Sequence, residues 1–232
     1  MRRRLVMAVV LALGCASESA APAQTGSVTP LPSPPPAAAE RVASSAEASA
    51  KVETDEYTRY ELLAPETAQF HILYEVTAIA PGATVFFNPI RKGSEASGER
   101  VTDRMTGKEL RFEVVSGEEA RKGGLARADR ETDYIRIHLP RPVPADGGQV
   151  RLLIEKTYKD PKSYFREGDT IVFSRSLGIK RNSVVLPAGF ELVSCNVPSQ
   201  VLSEPDGRIK IAFWNPGPEA APLRIAARKL AP

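Results

Sequence analysis

Asp206-Gly207-Arg208-Ile209-Lys210-Ile211-Ala212-Phe213 decides how this chain folds. Ile209, Ile211 and Phe213 alternate with Lys210 and Ala212, so an extended backbone turns one set of side chains to a core and the other to water. Asp206-Gly207 supplies the backbone angles of a tight turn, and Val201-Leu202 stands just before it; together these predict a hairpin. The same period of two recurs outward. Leu110, Phe112 and Val114 alternate with Arg111 and Glu113, and Ile135, Ile137 and Leu139 with Arg136 and His138. Further strands are expected at Tyr57 to Leu63, Phe70 to Ile79, Thr84 to Phe87, Val150 to Tyr158, Thr170 to Ser174, Val184 to Leu186, Phe190 to Cys195 and Leu223 to Ala227.

Turn residues fall between these segments at Thr106-Gly107, Asp146-Gly147-Gly148, Gly168-Asp169 and Ala188-Gly189. No helical stripe is sustained past Lys51, and only Gly117 to Arg121 reads as a brief helical turn. The expectation for residues 52–232 is therefore all-β, an antiparallel β-sandwich of immunoglobulin-like or related type.

The N-terminal fifth has a different composition. Arg2, Arg3 and Arg4 precede an apolar run from Leu5 to Leu13, then the small residues Gly14, Cys15, Ala16 and Ser17, the order of a secretory signal. The run is far shorter than the roughly 20 apolar residues a membrane-spanning helix needs. Leu13-Gly14-Cys15 resembles a bacterial lipobox, with Ala12 and Leu13 in the reverse of the usual order. That resemblance implies a signal of residues 1–14 and an acyl anchor on Cys15, which would hold the protein at a membrane without spanning it. Ala21-Pro22-Ala23 before Gln24 is the alternative cleavage pattern, giving a signal of residues 1–23 and a soluble product. Residues 15–51 are rich in Ala, Ser and Pro and read as a disordered tether.

Charge excludes one class of partner. The whole chain carries +3, yet it is neutral from Cys15 onward and +1 from Gln24 onward, without the basic footprint of a nucleic-acid binder. With Cys15 acylated or removed, Cys195 has no partner for an internal disulfide and reads as a small core residue.

The order Thr106-Gly107-Lys108-Glu109-Leu110, then Ile135 to Leu139, Pro140 to Gly148 and Val150 to Tyr158, resembles the N-terminal β-sandwich domain of M1-family zinc aminopeptidases. That family's catalytic H-E-x-x-H helix is absent, so the resemblance implies a fold relative without the peptidase activity.

Candidate chemistry is sparse. His71 and His138 are the whole histidine supply, and each lies opposite the apolar face of its strand, where solvent is expected. No serine-hydrolase elbow, phosphate loop or dinucleotide fingerprint occurs. The carboxylates Glu118, Glu119, Asp129, Glu131 and Asp133 sit in Arg- and Lys-rich stretches and read as solvated charge rather than acid-base pairs. Two sites of contact are singled out. Arg175, Lys180, Arg181 and Asn182 flank Gly178 between two strands and suit a carboxylate, a phosphate or an anionic sugar on a loop, or else form a solvated turn. Trp214 with Asn215 offers a stacking surface, or else closes the margin of the core.

The expectation is a non-catalytic, cofactor-free exported envelope module that contacts an envelope protein or ligand through loops or a sheet edge. Carbohydrate- or anion-binding is the alternative, and an accessory hydrolase with an unfamiliar site the third. Intact mass of protein purified from membranes separates the two signal readings: a diacylglyceryl adduct on a chain starting at Cys15 is expected for the anchored form. An unmodified chain starting at Gln24 removes the anchor.

Overall fold

The computed structural model describes residues 55–231. The signal, Cys15 and the whole tether, residues 15–51, lie outside the described residues.

Among the described residues, fourteen strands form three sheets. The largest sheet contains β1 (Tyr57–Leu62), β2 (Gln69–Ala78), β4 (Glu95–Asp103), β7 (Val150–Lys159), β10 (Arg181–Val185), β12 (Gln200–Ser203) and β13 (Ile209–Trp214), in the order β12-β13-β10-β1-β2-β7-β4. A four-stranded sheet contains β8 (Tyr164–Glu167), β9 (Thr170–Leu177), β11 (Phe190–Cys195) and β14 (Ala221–Lys229), ordered β11-β14-β9-β8. The third contains β3 (Val85–Pro89), β5 (Phe112–Val115) and β6 (Tyr134–His138), ordered β3-β6-β5. Every ladder is antiparallel except β1 with β10. The hairpin at Asp206-Gly207 forms as its sequence demands, with Gly207 at φ +82° and Val201 opposite Ile211.

The fold is all-β and sandwich-like, but one layer is divided. β2 and β7, ten residues each, pair without a break from Gln69↔Lys159 to Ala78↔Val150, so their even-numbered residues share one face. At one end Phe70, Ile72 and Tyr158 join Tyr60, Phe173, Ile211 and Ile225 in a core beneath the four-stranded sheet. At the other end Val76, Ala78, Val150, Leu152 and Ile154 join Ile135 and Ile137 beneath the three-stranded sheet. One continuous sheet thus carries two cores.

Two strands escaped the period-two reading. β4, Glu-Ala-Ser-Gly-Glu-Arg-Val-Thr-Asp, is an edge strand whose register slips between Ser97 and Arg100, around Gly98 at φ +64°. Only Val101 to Asp103 reach the buried interior, so apolar alternation is missing from its sequence. β8 is a four-residue edge strand ending in Arg166-Glu167. The brief helix is real: α1 (Gly117–Lys122) opens with a capping box in which Ser116 and Glu119 bond each other's backbone N–H.

Phe70 is fully buried among rings, with centroids 5.3 Å from Phe173, 6.1 Å from Tyr60 and 6.1 Å from Tyr158. Phe70→Ala leaves a cavity where both layers meet, so a loss of about 3–5 kcal/mol is expected in urea unfolding followed by circular dichroism. A change within the range of surface substitutions would remove Phe70 from the role given to it here.

Candidate functional site

The segment expected to be a cationic loop is divided between two strands. Arg175 lies in β9, Arg181 and Asn182 lie in β10, and only Gly178 to Lys180 connect them. Arg175 does not face a ligand from a loop. It follows Ile171 and Phe173 at the inward parity of β9, is buried, and donates to Asp160 Oδ2 at 3.2 Å. Lys180 accepts a 2.7 Å bond at its carbonyl from the Asn215 N–H.

Arg181, Asn182 and Trp214 are brought together. β10 pairs with β13 so that Arg181 stands opposite Trp214 and Asn182 opposite Phe213, while Tyr57 of β1 stands beside Arg181. With Pro198, Ser199 and Gln200 these residues line an open groove of about 750 Å³. Trp214 is 56% exposed, which sets its indole outside the core margin. Asn182 is buried; its Nδ2 donates to the Ile179 carbonyl at 2.5 Å, and its Oδ1 has no hydrogen-bond partner among the described residues. Arg181 is tied to the Asp55 carboxylate and the Glu56 carbonyl. Asn215 turns inward and is structural: its amide donates to the Glu219 carbonyl at 2.8 Å and accepts from the Gly217 N–H.

A second concavity of about 250 Å³ opens at the seam between the two cores. Tyr60, Tyr74 and Tyr158 line it, with Thr58, Asn88, Arg91, Lys156 and Arg175. Lys156 occupies an inward position of β7 between Ile154 and Tyr158, is 4% exposed, and donates to Asn88 Oδ1 at 2.5 Å. Burial, reinforced by the charge of Arg175, pulls its ammonium down to a pKa of about 8. Arg175 lies 5.3–6.0 Å from the ring centroids of Phe70, Tyr158 and Tyr60. Burial alone would raise the Asp160 carboxyl, but hydrogen bonds from Ser163 and Ser94 and the charge of Arg175 outweigh it and hold that carboxyl low. Lys156 was legible from parity, since Val150, Leu152, Ile154 and Tyr158 fix which face it shares.

The remaining candidates are dispersed and engaged. His71 on β2 lies near Thr157 and Glu155, and His138 on β6 near Arg111 and Glu113, both half-buried. Cys195 packs half-buried against the larger core, its thiol 3.4 Å from the Val197 carbonyl. Glu119 caps α1, Asp129 and Glu131 pair with Lys92, and the Asp133 carbonyl accepts from Ile90. Among the described residues no group of three or more His, Cys, Asp or Glu is placed to hold a metal ion.

No family model and no curated protein matches the chain. Among solved structures, the M1 zinc metallopeptidase from Deinococcus radiodurans is similar to it: TM-score 0.46, 13% identity, 75% of this chain and 41% of that chain covered. An aminopeptidase N family protein from Idiomarina loihiensis gives a TM-score of 0.44 at 7% identity, covering 75% of this chain and 29% of that one. The chain thus spans less than half the length of these structures. The resemblance to part of the M1 aminopeptidases read from Thr106 to Tyr158 recurs here, while the fold assignment itself rests on the strand order.

The buried ammonium makes stability depend on pH. The native Lys156 pKa, about 8, lies below the ordinary 10.5, so between those values the unfolded chain binds more protons and stability rises with pH. A gain of about 1–2 kcal/mol is expected between pH 8 and about 9.5. Above that window Tyr60 and Tyr158, which are buried, and the half-buried Tyr74, whose pKa values are all raised chiefly by burial, reverse the trend. Lys156→Met should lack the rise and be the more stable protein at pH 7; urea titrations across this range decide, and an identical rise in the variant would contradict the assignment.

Proposed function

We propose that this chain is a non-catalytic exported envelope module that holds a partner protein in the groove beside Trp214 and along the free edge of β12. The unpaired edge of β12 beside the groove carries this proposal, because its outward backbone N–H and C=O groups are left for another chain. β12 ends the order of the large sheet, and all four of its residues are exposed, including Val201 and Leu202. A free strand edge beside apolar side chains suits an extended segment of another protein adding as a further strand.

Several features support binding rather than catalysis. The two histidines stand on different sheets beside carboxylates and hydroxyls of their own strands' neighbours. The groove beside Trp214 has no His, Cys, Asp or Glu among its lining residues to serve as a base. The leader, with Arg2 to Arg4 and Cys15 or Ala21-Pro22-Ala23, supports export to the periplasm, an outer-membrane anchor or release. A chain that is neutral from Cys15 onward favours protein over nucleic acid as partner.

A second reading, glycan binding, is favoured by one observation: the exposed Trp214 indole lies beside Arg181 and Gln200, a ring with polar neighbours. The two are separated by parallel experiments on the full chain. A partner recovered by cross-linking in the native envelope should bind the purified chain saturably, and Trp214→Ala combined with Val201→Glu should weaken that binding roughly tenfold or more. A glycan array should stay empty. Saturable glycan binding abolished by Trp214→Ala would transfer the function to the second reading, and unimpaired partner binding by the double variant would remove the groove.

A further inference from the structure

The seam cleft differs in chemistry from the groove. Two buried cations face it, and they are not equivalent. Arg175 is matched by Asp160, whose carboxylate also accepts from Ser163 and Ser94. Lys156 makes no ion pair among the described residues: its ammonium meets the neutral Asn88 carboxamide, and lies 5.0 Å from the Tyr158 ring centroid. A buried charge is ordinarily held by an opposite one, because water is no longer there to solvate it. Here the space in front of it is a cavity.

We infer that the cleft between the two cores is a binding site for the oxyanion end of a small molecule, a carboxylate or a phosphate ester, with Lys156 as its charge partner. The walls fit an organic anion better than a bare ion. Tyr60, Tyr74 and Tyr158 present ring surface, Ile72 and Ile179 add apolar area, and about 250 Å³ accommodates one small ring with its acidic group. Polar groups converge as well. Thr58 Oγ1 is buried and, among the described residues, has no hydrogen-bond partner of good geometry, and Arg91 lines the cleft as well. Because Asp160 is already engaged by Arg175, Ser163 and Ser94, the charge of Lys156 remains for a ligand.

Position explains why such a site would be built here. The seam is where the four- and three-stranded sheets leave the shared face of β2 and β7 uncovered, so a side chain at that level is inward by parity yet reachable. Ile72 stands opposite Lys156 in the β2–β7 ladder, and Tyr74 opposite Ile154.

The site has a defined pH response. Arg175 from β9 lowers the Lys156 ammonium, burial lowers it more, and Glu99 from β4 raises it; Arg91, Tyr60, Tyr74 and Tyr158 are the other titratable groups around it. At pH 7 the amine is mostly protonated and ready for an anion. As pH rises through about 8 the unliganded amine loses its proton and the anion loses its partner.

Calorimetric titration of the full chain with sodium benzoate, phenyl phosphate and inorganic phosphate at constant ionic strength tests this. Saturable binding of benzoate or phenyl phosphate is expected, the tighter one identifying the acid class. Lys156→Met should weaken it roughly tenfold or more, Trp214→Ala should leave it unchanged, and affinity should fall about fivefold or more between pH 7 and pH 9.5. Absence of saturable binding by all three probes, equal binding by Lys156→Met, or pH-independent affinity overturns the proposal. Should Lys156→Met not fold, the Lys156 side-chain resonances followed by NMR decide: the bound anion must raise their titration midpoint, and an unmoved midpoint is a negative result.

Discussion

Unbroken pairing of β2 with β7 over ten residues is the constraint on which the rest depends. It fixes ten side chains of one face in a single plane, and a face that long outruns the sheet needed to cover it. The four-stranded sheet covers the end bearing Phe70 and Tyr158, and the three-stranded sheet the end bearing Leu152 and Val150. Between them lies the level of Tyr74 and Lys156. The chain therefore owes both its stability and its most unusual polar residue to one register.

Burial and electrostatics oppose each other at that level. Around Arg175 the opposition is resolved by Asp160 and by three aromatic rings, which together replace the water that the guanidinium gives up. Around Lys156 a neutral amide and one ring are the partners, and burial together with the charge of Arg175 lowers its pKa to about 8. The outer face of the same sheet shows the contrasting case. Arg59 there bonds both Glu61 and Glu204, Arg208 bonds Glu61, and Lys210 bonds Glu204. Those charges are compensated within the protein, so the outer network stabilises the surface without inviting a ligand.

The groove and the seam cleft divide the contact chemistry between them. The groove at the ends of β1, β10 and β13 is broad, exposes an indole and adjoins a free strand edge, features suited to a macromolecular surface. The seam cleft is small and walled by rings and cations, features suited to a small acid. Arg175, Arg181 and Asn182 are close in sequence and yet belong to different concavities, because β9 and β10 lie in different sheets.

Sequence alone determined the all-β class, most strand positions and the hairpin at Asp206-Gly207, because period two and turn chemistry are local properties that any window of the chain displays. It placed His71 and His138 on the faces opposite the cores for the same reason. It did not reveal β4 or β8, whose edge positions relax the need for apolar alternation, nor the parting of Arg175 from Arg181, which depends on which sheet each strand joins. That Lys156 turns inward was written in the parity of β7; that it meets a cavity instead of a carboxylate was decided only when two small sheets, distant in sequence, packed on one long face and left a gap between them.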